Sequence, residues 1–320
     1  MRYHEYGGPE VLRIEEVDPP RPEAGQVLIR TEAIGGSFVD TAMRGGTSRL
    51  GQSPLPGSPH GDVVGTVEAL GSGVGNVRVG DRVVALVAVD AYADFALADA
   101  DWLAPVPDGL DLGLASALAM PAPVALRVLR TGRLSKGETV LVHAASGGIG
   151  QLTLQLARLE GAGTVIATTG SAAKFDFVRE NGADVAVDGT APDWAEQVRA
   201  AAPDGVDVIL DSIGGRVTAQ SLDLLAPFGR LVLYGAASGE LPEVPVQSLF
   251  GLKSVTGFSL LGWRTARPGP AREEMEEVTE HAVAGRLRVS VQATVPLTEA
   301  ARAHELLADR TRQGRVLLIP

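Results

Sequence analysis

The sequence predicts an α/β protein with two domains, one rich in β-strands and one built on a doubly wound parallel sheet. Short β-branched segments separated by Gly, Pro and Asp turns fill roughly the first 120 residues. From Thr139 onward, strands alternate with helices. A run of small residues, AASGGIG at 144–150, joins the first of these strands to a helix. With 320 residues, 45% of them hydrophobic, the chain can form two cores.

Composition excludes several classes of protein. A net charge of -11 argues against nucleic acid as a partner, and 21% charged residues with 39 glycines fit a folded enzyme. We expect no membrane segment, because no apolar run reaches the roughly 18–20 residues needed to span a bilayer. The opening MRYHEYGGPE lacks the apolar core of a signal peptide, so we expect a cytoplasmic protein. The absence of cysteine excludes disulfides, thiol catalysis and cysteine-ligated zinc.

The first domain contains segments such as QVLIRTEAIG, DVVGTVEALG and DRVVALVA, which are typical of a small barrel or sandwich. Residues 43–60, MRGGTSRLGQSPLPGSPH, lie between the first two of these segments and are rich in Gly, Pro and Ser. This composition predicts an irregular loop over a site.

Helical spacing begins near Leu112, and prolines 121 and 123 are expected to kink or split that helix. The strands that follow are TVLVHA, TVIATTG, VAVD, DVILDSIG and RLVLYGAA, and the helices lie near 148–160, 172–181, 193–202 and 215–226. Such alternation makes a parallel sheet with right-handed crossovers. After residue 254 we expect the helix EEMEEVTEHAVAG, the strand VQATVPL, the helix EAARAHELLAD and a strand RVLLIP that returns to the first domain.

The Gly-rich turn matches A-x-x-G-x-x-G, a relative of the dinucleotide fingerprint. Small residues let the backbone approach a pyrophosphate, and the following helix presents N–H groups and its positive dipole end to the anion. A tight strand–helix turn that binds nothing is the alternative. The turn residues expected to contact a dinucleotide are Ala144, Ser146, Gly147, Gly148, Ile149 and Gly150.

The next strand indicates which dinucleotide binds. NAD enzymes place an acid at its end for the ribose 2′-hydroxyl, whereas this strand ends in TTG and continues to Ser171 and Lys174. A hydroxyl and an ammonium suit a 2′-phosphate, so we expect NADPH, with Gly170, Ser171 and Lys174 near that phosphate. A solvated lysine is the alternative. The missing acid also disfavours a methyltransferase.

Two later strand ends complete the predicted cofactor site. Asp211 ends one strand, where it either faces the ligand crevice or caps the following helix. Tyr234, Gly235 and Ala236 end the next strand, and the small residues among them would let the nicotinamide half lie against the backbone.

The order of motifs resembles the medium-chain dehydrogenase/reductase superfamily, and within it the zinc-free NADPH:quinone oxidoreductase branch. The matching pieces are HEYGGPEVLRIEE, EVDPPRPEAGQVLIRTEAIGGSFVDTAMRGG, GDVVGTVEALGSGVGNVRVGDRVVAL, YADFALADADWLAPVPDGL, VLVHAASGGIGQLTLQLARLEGA, GVDVILDSIGG, LAPFGRLVLYGAASG and AHELLADRTRQGRVLLIP. The resemblance implies a GroES-like β-barrel domain at 1–118 and 263–320, a Rossmann domain at 119–262, and a homodimer, for which the apolar 255–262 is the expected interface strand.

The resemblance also implies roles for single residues. Ser37 and Asp40 match positions lining the substrate and nicotinamide cleft, Lys174 matches the 2′-phosphate lysine, and Arg310 matches an arginine that reaches the cofactor. No metal is expected, because Ser37 stands near the first zinc-ligand position and GDVVG replaces G-H-E.

Three departures from the branch weaken substrate inference. Leu50 is nearest to an expected loop tyrosine, Asp188 and Gly189 replace a tyrosine after VAVD, and Val124 replaces the threonine of a G-x-T-A helix start.

Without zinc, another group must polarise the acceptor carbonyl while hydride arrives. The hydroxyls of Ser37 and Thr41 and the imidazole of His60 are candidates, with Asp40 beside them. Ser37 as a space-filling residue, Asp40 as a helix cap and a solvated His60 are the plainer interpretations. His143 is expected in a packed core, and the remaining histidines, His4, His281 and His304, at the surface.

The sequence thus predicts hydride transfer from NADPH to a quinone or another activated carbonyl. An enoyl reductase acting on an α,β-unsaturated thioester or enone would use the same residues. A non-catalytic NADPH-binding protein is the third hypothesis.

Overall fold

The computed structural model describes residues 1–48 and 51–320. The chain divides into two compact units, which we call the outer unit, Met1–Pro121 with Met275–Pro320, and the inner unit, Ala122–Glu274. The described strands are β1 (Gln26–Gly35), β2 (Gly61–Leu70), β3 (Arg82–Val87), β4 (Phe95–Asp99), β5 (Ala104–Pro105), β6 (Thr139–Val142), β7 (Thr164–Thr169), β8 (Val185–Asp188), β9 (Val206–Asp211), β10 (Leu225–Leu233), β11 (Ser254–Gly257), β12 (Val291–Pro296) and β13 (Arg315–Ile319).

The described α-helices are α1 (Phe38–Arg44), α2 (Leu112–Ala115), α3 (Pro121–Thr131), α4 (Gly150–Leu159), α5 (Phe175–Glu180), α6 (Trp194–Ala201), α7 (Gly215–Leu222), α8 (Leu260–Ala266), α9 (Pro268–Val283) and α10 (Ala300–Ala308). Short 3-10 helices cover Pro9–Val11, Ala100–Trp102, Ala172–Lys174, Val246–Leu249 and Leu297–Glu299. No helix in the described part of the chain is long and apolar enough to cross a membrane.

The outer unit is built on a seven-stranded sheet of order β12-β13-β1-β2-β3-β5, with β4 also paired to β1. Antiparallel pairs dominate, and the last strand returns to the first, with Ile34 opposite Leu318. The predicted return of RVLLIP to this domain is therefore confirmed. Of the irregular loop predicted over residues 43–60, residues 43 and 44 instead end α1, and the described residues of 45–60 contain no helix or strand, as their composition predicted.

The inner unit is a six-stranded parallel sheet of order β11-β10-β9-β6-β7-β8. The chain starts in the middle at β6, moves outward through β7 and β8, and then returns to β9 on the other side of β6. The direction of winding therefore reverses between β6 and β9. In such sheets a ligand binds beyond the carboxyl ends of the strands at this reversal. The Gly-rich turn follows β6 directly.

Some element boundaries differ from the sequence predictions. The helix expected over 215–226 ends at Leu222, because the apolar residues from Leu225 onward already belong to β10. The apolar segment 255–262 is not one strand: β11 ends at Gly257 and α8 begins at Leu260, where the Ser259 side chain accepts from Gly262 N. The helical stretch from Leu112 is split, and α3 begins at Pro121, where a proline costs no backbone hydrogen bond.

Candidate functional site

The turn between β6 and α4 is held by backbone hydrogen bonds. Ala144 adopts a φ of 50°, and Ala145 N donates to the Thr168 carbonyl on the neighbouring strand at 3.0 Å. Gly147 N donates back to Ala144 O at 3.1 Å. These contacts hold residues 144–150 in a tight turn at the carboxyl end of β6.

The two glycines of the motif have different surroundings. A Cβ added to Gly150 would lie 2.5 Å from Ala144 O and 2.6 Å from Ala145 Cα, so only glycine lets α4 pack against the turn. A Cβ added to Gly147 would meet only Ala144 O, at 3.3 Å, and otherwise enters open space. Gly150 therefore serves packing, whereas Gly147 leaves room for a ligand.

The residues present fit a dinucleotide. In the part of the chain that the structure describes, the backbone N–H groups of Gly148 and Ile149 donate to no protein acceptor. They lie where α4 begins, and buried Ser146 precedes them. Consecutive unpaired N–H groups at a helix start are suited to a pyrophosphate. This agrees with a bound NADPH or NADH rather than with a turn that binds nothing.

The end of β7 carries the residues predicted for the 2′-phosphate. Gly170 is exposed, and Ser171 caps a 3-10 turn by accepting from Ala173 N at 3.2 Å. Lys174 ends that turn and is only 4% exposed, so it is not a solvated surface lysine. No carboxylate follows β7 before Asp176, whose side chain is 92% exposed.

Asp211, at the end of β9, is fully buried and its carboxylate is occupied within the protein. Oδ1 accepts from the backbone N–H of Ile213 at 2.7 Å and Gly214 at 3.1 Å, and Oδ2 accepts from the Thr218 hydroxyl at 2.5 Å. These bonds shape the entry to α7, which agrees with the capping interpretation.

Tyr234, Gly235 and Ala236 follow β10, and Tyr234 N donates to Asp211 O at 2.9 Å. Burial raises the pKa of Tyr234 to about 12, so its phenol stays protonated. A Cβ on Gly235 would lie 2.8 Å from Ser212 O, so glycine is needed where this loop meets the end of β9.

In the outer unit, the structure brings Asp40 and His60 together. Asp40, in the first turn of α1, is buried, and its Oδ1 accepts from His60 N at 2.9 Å and contacts His60 Nδ1 at 2.8 Å. The hydrogen bond to Asp40 raises the pKa of His60, against an opposing effect of burial. The imidazole side chain is 24% exposed, so the two residues form a pair with one open end.

Ser37 and Thr41 differ in what their hydroxyls can offer. Ser37 is the N-cap residue of α1, but its side chain makes no capping bond. Thr41 donates its hydroxyl hydrogen to Phe38 O at 2.7 Å within the helix. Of the two, Ser37 is the better placed to donate to a ligand, and Thr41 retains only its acceptor capacity.

Asp62, in the segment that replaces G-H-E, forms a buried ion pair. Its Oδ2 lies 3.0 Å from Arg315 Nη2, and the side chains are 1% and 3% exposed. No group of three or more His, Cys, Asp or Glu residues that could hold a metal ion occurs among the described residues.

The resemblance also singles out Arg310 as a cofactor contact, and Asp188, Val124 and Leu50 as positions that depart from the branch. Arg310 is exposed and follows α10 in the outer unit. Asp188 accepts from Thr190 N at 2.9 Å, and Val124 is buried in α3. Leu50 lies outside the described residues.

The expectation of a surface His304 is wrong, and sequence reasoning missed the cluster it belongs to. His304 is fully buried, Arg44 Nη1 lies 3.0 Å from its Nδ1, and the Tyr92 ring packs edge-on against the imidazole, with ring centroids 5.6 Å apart. Arg44 follows Asp40 by four residues and so lies on the same face of α1 as that buried carboxylate. This spacing was the signal in the sequence that the Arg44 side chain is also buried.

His281 is also more buried than expected, with 14% of its side chain exposed. His4 is exposed and His143 is packed in the core, as predicted.

We predict that His304 makes stability depend on pH. Burial, with a smaller effect of Arg44, lowers its pKa to about 3 from the ordinary 6.5. Folding therefore favours the neutral ring, so the stabilisation is present above about pH 6.5 and is lost as the pH falls toward 3. At pH 5 the loss is about 2 kcal/mol. Thermal unfolding should show a flatter acid limb for His304→Asn, which keeps an acceptor near Arg44; parallel acid limbs would contradict the prediction.

Comparison with known proteins shows two family matches along the chain. Residues 23–108 match the alcohol dehydrogenase GroES-like domain, and residues 148–282 match the zinc-binding dehydrogenase family. A quinone oxidoreductase of Rattus norvegicus is 34% identical over 328 residues, covering 100% of this chain and 97% of that protein. A 2-haloacrylate reductase of Burkholderia sp is also 34% identical, covering 99% and 97%.

Among solved structures, the Escherichia coli quinone oxidoreductase complexed with NADPH aligns with a TM-score of 0.90 and 33% identity, covering 100% of this chain and 99% of that one. This likeness confirms the predicted combination of a GroES-like domain with a Rossmann parallel sheet.

Proposed function

Because the chain belongs to the quinone oxidoreductase family of medium-chain dehydrogenases/reductases, we propose that it is an NADPH-dependent reductase of quinones or other activated carbonyls. The observation that carries the proposal is the turn after β6, where two N–H groups without an acceptor among the described residues, and the open side of Gly147, fit a pyrophosphate. NADPH supplies the hydride when it is bound.

The inner unit is proposed to hold the cofactor. Turn residues 144–150 bind its pyrophosphate, and Gly170, Ser171 and Lys174 bind its 2′-phosphate. Tyr234, Gly235 and Ala236 border the nicotinamide, while Asp211 supports the site by fixing the loop before α7. Arg310 is proposed as a further cofactor contact because it matches the arginine that reaches the cofactor in the family that this chain resembles.

The outer unit is proposed to handle the acceptor. Ser37 donates a hydrogen bond to the carbonyl oxygen, and Thr41 lines the same turn of α1. His60 is the proton source: Asp40 holds Nδ1, so Nε2 is the nitrogen left for the acceptor. Negative charge develops on the carbonyl oxygen during reduction, and a protonated imidazole both stabilises it and supplies the proton.

Asp40→Asn should move the pH profile of turnover. In the wild type, activity is lost as the pH rises through the raised pKa of His60, because the ring loses the proton that it donates. Without the carboxylate, that inflection should shift to lower pH, so the variant should lose activity earlier than the wild type as the pH rises. The matched control is His4→Gln, which removes a surface histidine paired with Glu15. An unchanged inflection in Asp40→Asn would contradict the assignment.

Reduction of an α,β-unsaturated acid or thioester is the second candidate. The support is the 2-haloacrylate reductase, which is as similar to this chain as the rat quinone oxidoreductase. Hydride would then add to the β-carbon, and the same oxyanion donors would serve.

The test is oxidation of NADPH, followed by its absorbance, with a panel of benzoquinones, naphthoquinones, enones and 2-haloacrylates. The account expects turnover with at least one quinone. Turnover with the unsaturated acids alone would favour the second candidate. Binding of NADPH without turnover of any acceptor would favour the non-catalytic hypothesis.

We further propose a homodimer in the cytoplasm. β11 is an edge strand of the inner sheet, and the chain just before and after it carries exposed apolar side chains: Leu241, Val246, Phe250, Leu252 and Leu261. An open edge flanked by apolar surface can pair with the same edge of a second copy. A solution mass equal to one chain would contradict this. The cytoplasm is proposed because the NADPH pool is intracellular.

A further inference from the structure

His143 follows β6 directly, opens the Gly-rich turn and is only 1% exposed. Its Nδ1 lies 2.8 Å from the hydroxyl oxygen of Thr168 on β7, and its Nε2 lies 2.9 Å from the hydroxyl oxygen of Ser221 on α7. The Trp194 ring of α6 packs edge-on against the imidazole, with ring centroids 5.4 Å apart. One buried side chain therefore joins the end of β6 to a neighbouring strand and to two helices of the inner unit.

A neutral imidazole suits these two hydroxyls. Burial lowers the pKa of His143, against an opposing effect of the Asp211 carboxylate, so the ring is neutral at ordinary pH. A neutral ring donates through one nitrogen and accepts through the other, while a hydroxyl can do either. Both ring nitrogens are therefore occupied within the protein, and any effect of His143 on a bound cofactor must pass through its partners.

Thr168 is the partner through which the ring reaches the cofactor site. Its carbonyl accepts from Ala145 N of the Gly-rich turn at 3.0 Å. Thr169 follows, and its hydroxyl donates to Ser171 O at 2.8 Å. Ser171 caps the 3-10 turn that ends at buried Lys174. The end of β7 therefore connects the turn proposed for the pyrophosphate with residues 170–174, which we call the 2′-phosphate turn, and the imidazole fixes that strand end from the side of β6.

We propose that His143 is a positioning residue for cofactor selectivity, because its bond to the Thr168 hydroxyl fixes the 2′-phosphate turn relative to the Gly-rich turn. The inference rests on the proposed function, since it requires NADPH to bind across these two turns. The 2′-phosphate is the group that distinguishes NADPH from NADH. A displaced 2′-phosphate turn weakens NADPH binding more than NADH binding, whereas a general loss of packing weakens both.

The experiment measures the dissociation constants of NADPH and NADH by calorimetric titration in the wild type, Thr168→Val and Thr168→Ser. Thr168→Val removes the hydroxyl and nearly keeps the shape of the side chain. The preference for NADPH over NADH should fall roughly three- to tenfold, which corresponds to the loss of one hydrogen bond. Thr168→Ser keeps the hydroxyl and should keep the wild-type preference.

His143→Phe tests the ring itself, because it keeps an aromatic side chain beside Trp194 and cannot bond to Thr168. It should lower the preference for NADPH as much as Thr168→Val does. The double variant His143→Phe with Thr168→Val should lose no more preference than either single variant, because both remove the same bond. Additive losses in the double variant would contradict the assignment.

Ser221→Ala is the matched control, since it removes the other hydroxyl on the same ring and leaves the bond to Thr168. It should lower stability in urea, as Thr168→Val does, and leave the preference for NADPH unchanged. An unchanged preference in Thr168→Val, equal weakening of both cofactors, or the same loss of preference in Ser221→Ala would overturn the proposal. A wild type that binds neither dinucleotide would refute the proposed function as well, whereas these outcomes with normal wild-type binding overturn the inference alone.

Discussion

Gly150→Ala is expected to lower the free energy of unfolding by about 3 kcal/mol and to abolish NADPH binding at ordinary concentrations. The added Cβ would lie 2.5 Å from Ala144 O and 2.6 Å from Ala145 Cα. Both are backbone atoms of the turn, so relief requires α4 to move away from β6. That movement would also displace the N–H groups of Gly148 and Ile149. Urea denaturation and NADPH titration measure the two effects.

Gly147→Ala separates packing from binding. Its Cβ would meet only Ala144 O, at 3.3 Å, so stability should change by less than about 1 kcal/mol. The new methyl group would stand in the open side of the turn and should weaken NADPH binding roughly tenfold or more. Equal stability of Gly150→Ala and the wild type would contradict the structural account of the turn.

Asp62→Ala is expected to cost about 3–5 kcal/mol of stability, because it leaves the buried guanidinium of Arg315 without its carboxylate. Arg315 is the first residue of β13, and its guanidinium occupies the space that a side chain on Gly35 would take. The guanidinium therefore packs against the end of β1. Chemical denaturation at neutral pH measures the loss.

The double variant Asp62→Leu with Arg315→Leu should be more stable than Asp62→Ala, because no buried charge is then left alone. The single variants Asp62→Leu and Arg315→Leu complete the comparison. If the double variant loses as much stability as these two single variants together, the two side chains do not act as a pair.

Local patterns in the sequence sufficed to predict the parallel sheet and the Gly-rich turn after β6. Strand and helix patterns alternate along the chain, and the spacing of small residues over 144–150 predicts a tight turn from a strand into a helix. The same pattern places Thr169 and Asp211 at the ends of their strands. Because the carboxyl ends of parallel strands share one edge of the sheet, both residues are expected at that edge.

The acceptor side of the site could not be predicted in this way. Asp40 and His60 are 20 residues apart, and Arg44 and His304 are 260 apart, so their contacts depend on the folded outer unit. No periodicity indicates that a carboxylate in α1 will accept from a loop histidine. The surface assignment of His304 failed because a helical histidine followed by Glu305 looks solvated until its partner in α1 is known.

The central claim is that this chain uses NADPH, with Lys174 selecting it over NADH. The most direct measurement is kcat/KM for both cofactors, with one quinone, in wild type, Lys174→Ala and Lys136→Ala. Lys136 is an exposed lysine of the turn before β6, at the opposite end of the sheet. A charge-assisted bond to the 2′-phosphate is worth roughly 1.5–3 kcal/mol, or about 10- to 150-fold. The account predicts such a loss for NADPH alone in Lys174→Ala and none in Lys136→Ala. Equal losses for NADPH and NADH, or an unchanged preference, would contradict it.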